Sequence, residues 1–182
     1  MRTTTANGAP ATNAWTLNSV MPNWYVAYTS ANHEKRVSEQ LQRRSVEHFL
    51  PVYESMRKWK DRRVKLQMPL FPGYVFVRFA WRDRLTALQV PGVARLVGFN
   101  GQPAILADAE IDGLRTSIAA ELRIEPHPYL RVGRRVRIQR GALQGTEGIL
   151  IRKKNSVRVV LSIDVIMRSV SVEVDADDLE IV

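Results

Sequence analysis

Two prolines in three residues, Pro126 and Pro128 within Ile124-Glu125-Pro126-His127-Pro128, cut this 182-residue sequence into parts of unlike texture. Each proline has a fixed φ and no backbone N–H, and each pushes the preceding residue out of the helical region. The stretch is therefore expected to be extended and fairly stiff. Before it, β-forming runs alternate with runs whose apolar residues recur at helical spacing. After it, short alternating runs follow one another, separated by turn residues. This order predicts an α+β protein: an α/β sandwich joined by a short linker to a small β-barrel. The boundaries drawn are a flexible tail over residues 1–22, a first unit over 23–123, a linker over 124–130 and a barrel over 131–182.

In the first unit, Trp24-Tyr25-Val26-Ala27-Tyr28-Thr29 is aromatic and β-branched, which favours a strand. Residues 31–44 place Ala31, Val37 and Leu41 among charges, as a helix with Asn32 as its cap. Residues 46–53 read as a strand ending near Pro51. A turn at Pro72-Gly73 leads into Tyr74-Val75-Phe76-Val77-Arg78-Phe79, an apolar run suited to a central strand. Strand alternation puts Tyr74, Phe76 and Arg78 on one face and Val75, Val77 and Phe79 on the other. A short helix over 83–89, a strand over 93–99, a turn at Asn100-Gly101 and a helix over 108–123 complete the unit. Asp108 is the expected cap of that last helix, and Ile111, Leu114, Ile118 and Leu122 its apolar face.

The second unit has short β runs at 136–138, 148–151, 157–161 and 169–174. About 52 residues give a barrel that must close well to be stable alone. Gly141, Gly145 and Gly148 are expected to turn the chain sharply between its first strands.

Lys and Arg number 27 against 18 Asp and Glu, a formal charge of +9, which favours polyanionic partners. The absence of cysteine excludes thiol chemistry and thiolate zinc sites, and three scattered histidines (His33, His48, His127) make a poor metal set. No phosphate-binding loop, nucleophile elbow or H-E-x-x-H motif is present, so no enzyme and no cofactor are expected. The acidic cluster Glu173, Asp175, Asp177, Asp178 and Glu180 reads as a solvated edge rather than a cation site. No apolar run approaches the roughly 18–20 residues that span a bilayer, nor is there a secretory core, so a cytoplasmic monomer away from membranes is expected.

One segment concentrates the charge. Arg57-Lys58-Trp59-Lys60-Asp61-Arg62-Arg63-Val64-Lys65 has six basic residues in nine and no apolar face, which suits a hairpin or loop projecting into solvent. Its Arg57, Lys58, Lys60, Arg62, Arg63 and Lys65 could contact nucleic-acid phosphates, with Trp59 stacking on an exposed base. A charged hairpin that merely keeps its tip soluble is the plainer alternative.

Taken together, Trp24-Tyr25 opening a strand, Leu70-Phe71-Pro72-Gly73-Tyr74-Val75-Phe76-Val77 at the centre, and Pro91-Gly92-Val93 followed by Val97-Gly98-Phe99 resemble the N-terminal (NGN) domain of the NusG family of transcription elongation factors. Gly133-x-x-Val136-x-Ile138-x-x-Gly141-x-Leu143-x-Gly145-x-x-Gly148 is similar to the KOW motif of that family's SH3-like barrel. The resemblance implies a factor that sits on RNA polymerase between the clamp helices and the opposite jaw, holds the clamp closed and suppresses pausing or termination near the upstream DNA and RNA. By position, Tyr28, Phe71, Tyr74 and Phe76 would face the clamp helices. Phe49-Leu50-Pro51 and Pro128-Tyr129-Leu130 further resemble the specialised UpxY and RfaH-type antiterminators, which act on selected operons. In the barrel, Ile163, Val165, Ile166, Met167 and Arg168 fall where family members present a partner-binding loop. The phenylalanine typical of that loop is absent, which counts against termination factor Rho and leaves ribosomal protein S10 open. RfaH-type barrels can refold as helices, but the β-branched residues crowding these strands favour β structure. The alternative of another class is a ribosome-associated or general RNA-binding protein using a KOW barrel, which would have no need of the aromatic strand.

Overall fold

The computed structural model describes residues 20–59, 62–130, 132–153 and 156–182; the expected tail, but for residues 20–22, lies outside them. Its first sheet has strand order β2-β5-β1-β6, formed by β1 (Pro22–Thr29), β2 (Glu47–Phe49), β5 (Tyr74–Ala80) and β6 (Val93–Leu96). β5 lies inside the sheet, antiparallel to both neighbours, with Val26 opposite Phe76 and Phe49 opposite Phe76 on the other side. Pro22 thus belongs to a strand rather than to the tail.

Alternation sends the two sets of side chains to opposite layers. Tyr25, Ala27, Val75, Val77 and Phe79 pack with Val37 and Leu41 of α1 (Glu34–Arg43) and Ala87 of α2 (Arg84–Leu88). Trp24, Val26 and Phe76 pack on the other side with Ile111 and Leu114 of α3 (Asp108–Ala119). Helices on both faces bury the sheet twice, which is why β5 is apolar at nearly every position. Leu41 is fully buried, and its truncation to Ala would cost about 2–5 kcal/mol.

Several local expectations shift. α1 starts at Glu34; Asn32 does not cap it but adopts φ +60, and His33 takes the cap position without a side-chain bond. α3 begins at Asp108 itself, after Ala107, whose N–H donates to Glu110 Oε2 at 2.9 Å. The helix ends at Ala119, and Glu121 at φ +52 turns Leu122 back onto the core. Pro51 divides the expected 46–53 strand into β2 and β3 (Val52–Trp59), and its carbonyl accepts from the Leu70 N–H. The expected 93–99 strand is likewise divided into β6 and β7 (Gly98–Phe99), which forms a small hairpin with β8 (Gln102–Pro103).

The second sheet is antiparallel throughout, in the order β14-β10-β11-β12-β13-β9. It comprises β10 (Arg135–Ile138), β11 (Glu147–Lys153), β12 (Ser156–Ile163), β13 (Arg168–Val174), β14 (Leu179–Ile181) and β9 (Ile124–His127). β9 lies in the stretch expected to be a linker. It is extended, as its prolines require, but it pairs with β13, placing Pro126 opposite Val170. A proline fits there because an edge strand leaves one row of backbone N–H groups unused. Arg158 explains the attachment: only 2% exposed, it donates to Glu125 of β9 at 2.9 Å and to Glu173 of β13 at 3.0 Å.

Gly141 and Gly145 adopt φ of +80 and +83 in the loop between β10 and β11. Gly148 does not turn. It lies within β11, where a Cβ would fall 2.4 Å from Val159 and 2.6 Å from the Val160 carbonyl, so close strand approach is what requires glycine there. The two sheets share one apolar cluster: Ile111 and Leu114 of α3 belong with Val136, Leu143, Leu161, Ile163 and Ile166.

Candidate functional site

α3 covers only part of its sheet face. Arg115 lies over the rings of Trp24 and Phe49, at 4.8 and 5.3 Å from their centroids, closing that end. Beyond it the face stays open. Tyr28 is 38% exposed, Tyr74 is half-buried, and their ring centroids are 5.5 Å apart. The four aromatics expected to face a partner therefore separate into two roles. Phe71 and Phe76 are 1% and 0% exposed and pack edge to face at 5.6 Å. As surface contacts they are corrected to core: a neighbouring strand and α3 fill the space the alternation pattern left unassigned. Tyr28 and Tyr74 remain at the surface.

The turn carrying Tyr74 is held from behind. Gly73 adopts φ +84, which a residue with a side chain rarely takes, and its N–H donates to Glu34 Oε1 at 2.6 Å. The Gly73 carbonyl accepts from the Thr29 N–H at 2.8 Å. Glu34, only 5% exposed at the start of α1, had no local sign of this role, since its partner lies 39 residues away. Arg95 was also missed; its guanidinium lies 5.2 Å from the Tyr28 centroid, brought there by the pairing of β1 with β6.

The basic segment forms a two-stranded hairpin, β3 with β4 (Arg62–Pro69), longer than expected because residues 66–69 extend the strand rather than turn. Antiparallel partners share a face. The register joins Lys58 to Arg63 and Met56 to Lys65 on one face, with Arg62 and the Arg57–Val64 pair on the other. Arg57, Lys58, Arg62, Arg63 and Lys65 are all exposed, and Lys65 pairs with Glu54 at 3.1 Å. Lys60 and the side chain of Trp59 lie outside what the structure describes. At the hairpin's base Tyr53 packs against the core, which anchors it.

In the second sheet, the loop expected to bind a partner is divided too. Ile163 and Ile166 are buried, Val165 is half-buried, and only Met167 and Arg168 are exposed. Ile163 and Ile166 are corrected to core anchors: a 3-10 turn over Asp164–Ile166 tucks them inward, and Met167 at φ +50 reverses the chain. Of the acidic cluster, Glu173 bonds Arg158, and Glu180 accepts from Gln139. Among the described residues no group of three or more His, Cys, Asp or Glu could hold a metal ion, and no helix is long and apolar enough to cross a membrane.

These features define an α/β unit with an open tyrosine face and a basic hairpin, joined to an antiparallel β unit. A family model described as "Transcription termination factor nusG" matches residues 22–115, most of that first unit. The NusG protein of Lactococcus lactis, named as a transcription termination/antitermination protein, is 30% identical over 86% of this chain and 91% of its own length. The protein of that name from Rickettsia prowazekii is 24% identical over 81% of this chain and 88% of its own. A solved structure of Thermotoga maritima NusG aligns with a TM-score of 0.54 at 22% identity, over 89% of this chain and 98% of that one. The chain belongs to the NusG family of transcription termination/antitermination factors.

Proposed function

We propose that this chain binds RNA polymerase through the open tyrosine face, holds the clamp closed and so suppresses pausing or termination. The observation that carries the reading is the pair of exposed Tyr28 and half-buried Tyr74, the latter following a turn fixed by Glu34. Paired aromatics on a rigid backbone supply contact area at little entropic cost, which is what interface anchors require. Phe71 and Phe76 support that surface from below. Holding the clamp is a population shift: a factor with higher affinity for the closed state raises its occupancy by its differential affinity alone.

The basic hairpin would lie along DNA or RNA phosphates of the elongation complex, Lys58 and Arg63 on one face and Arg57 and Arg62 on the other. This supplies affinity without sequence information. The second unit, with its KOW-like glycine pattern, would present Met167 and Arg168 to a further protein, with ribosomal protein S10 the candidate. The sequence features shared with UpxY and RfaH-type factors favour action on selected operons.

The test is a titration of purified core polymerase with the full chain and with Tyr28→Ala/Tyr74→Ala. Tyr28 is exposed and Tyr74 is half-buried against the core, so the variant is expected to stay folded with a modestly lower melting temperature while its affinity falls at least about tenfold, as for loss of interface anchors. Parental affinity in the double variant would remove the tyrosine face from the contact.

A further inference from the structure

The open end of the first sheet carries a cation beside its tyrosines. Arg95, exposed on edge strand β6 opposite Tyr28 of β1, sits over the Tyr28 ring, which in turn meets Tyr74. Among the described residues no carboxylate pairs with it, in contrast to Arg78 and Arg115, which share Glu47 on the covered part of the same face. We propose that Arg95 is a specificity-determining contact of this surface, and that the polymerase segment seated on the tyrosines carries a carboxylate beside its apolar side chains.

The argument is one of complementarity. An entirely apolar partner covering Tyr28 would strip water from a guanidinium 5.2 Å away and leave it unpaired, which is costly. A basic partner would be repelled. An acidic group at the rim of an apolar segment satisfies the arginine while the tyrosines take the apolar part. Guanidinium suits this place because it is weakly hydrated and combines ring contact with outward donors. A charge at a rim acts mainly on association rate, salt dependence and register. The inference deepens the reading of the tyrosine face as the polymerase contact and rests on it.

The experiment measures association rate and affinity for nucleic-acid-free core polymerase at several salt concentrations, for the full chain and for Tyr74→Ala, Arg95→Glu, Arg95→Lys and Arg152→Glu. Arg152, exposed in β11, controls for net charge. Arg95→Glu is expected to slow association about tenfold at low salt and to flatten or invert the salt dependence, as for reversal of a steering charge. Arg95→Lys should retain the salt dependence, and Arg152→Glu should behave as the parent. If Tyr74→Ala weakens binding while Arg95→Glu binds like the parent, or like Arg152→Glu, the tyrosine face stands and the acidic partner is refuted. If Tyr74→Ala binds like the parent, the polymerase reading of this face fails and the inference with it.

Discussion

Arg158 offers the most demanding test of how the second unit is held to the first. Its guanidinium is 2% exposed and has four partners: Glu125 at 2.9 Å, Glu173 at 3.0 Å, Ser171 at 3.3 Å and Ser156 at 3.4 Å. Arg158→Met keeps the side chain's bulk and removes its charge and donors. Breaking a buried ion pair costs about 3–5 kcal/mol because the remaining charge loses its partner. Here the stranded carboxylates are 29% and 36% exposed and keep Arg123 at 3.3 and 3.9 Å, so solvent and the remaining cation reduce the penalty to about 3 kcal/mol. Urea denaturation of the full chain measures the loss. Amide exchange should show its location, with protection falling first in β9 and at Ser169 and Ser171 of β13, whose N–H groups face it. Arg158→Met/Glu125→Gln/Glu173→Gln should recover part of the stability, since the one charge then left without a partner, Arg123, is 69% exposed and hydrated. A single variant within about 0.5 kcal/mol of the parent, the range of an ordinary surface change, would refute the claim that Arg158 fastens β9.

Three further outcomes follow from the same geometry. Glu34→Ala leaves the Gly73 N–H without its acceptor and should cost about 1.5–3 kcal/mol, with a loss of polymerase affinity, whereas Glu34→Gln, which retains a carbonyl acceptor, should recover most of both; equal effects in calorimetry and titration would refute the positioning role. Arg62→Glu/Arg63→Glu should weaken binding to a DNA–RNA scaffold and lower the slope of log affinity against log salt by about 2, one per lost phosphate contact; an unchanged slope would return the hairpin to a merely solubilising role. Burial, aided by Asp164 and opposed by the Ala107 N–H, raises the Glu110 carboxyl above its ordinary range. The folded state therefore holds this proton more tightly than the unfolded chain, so the contribution is fully present below the unfolded value and lost as pH rises through the folded one. Glu110→Gln should accordingly flatten the loss of stability between weakly acidic and neutral pH, read by melting across that window, and an unchanged pH profile would reject the assignment.

Much of the fold could be read locally. The apolar β5 run, the helix carrying Val37 and Leu41, and the charged segment that became a hairpin each show their state within a few residues, because strand and helix periodicities are properties of neighbours. The identity of the open surface could not be read this way. Alternation puts Tyr74 and Phe76 on one face, but whether that face is covered depends on α3, more than 30 residues later, which reaches Phe76's end and leaves Tyr74's open. Ile163 and Ile166 looked like surface for the same reason: a loop's sequence does not say which of its apolar residues will be drawn into a core.

The sequence by itself determined the two textures, the extended geometry imposed by Pro126 and Pro128, the basic hairpin and the glycine pattern of the second unit. Tertiary structure decided where β9 goes, which aromatics stay in contact with water, and the pairing of Glu34 with Gly73, Arg95 with Tyr28 and Arg158 with Glu125. The physical reason is range. Backbone preference acts over one or two residues, whereas burial and charge pairing are set by whichever distant segments the fold brings within a few ångströms.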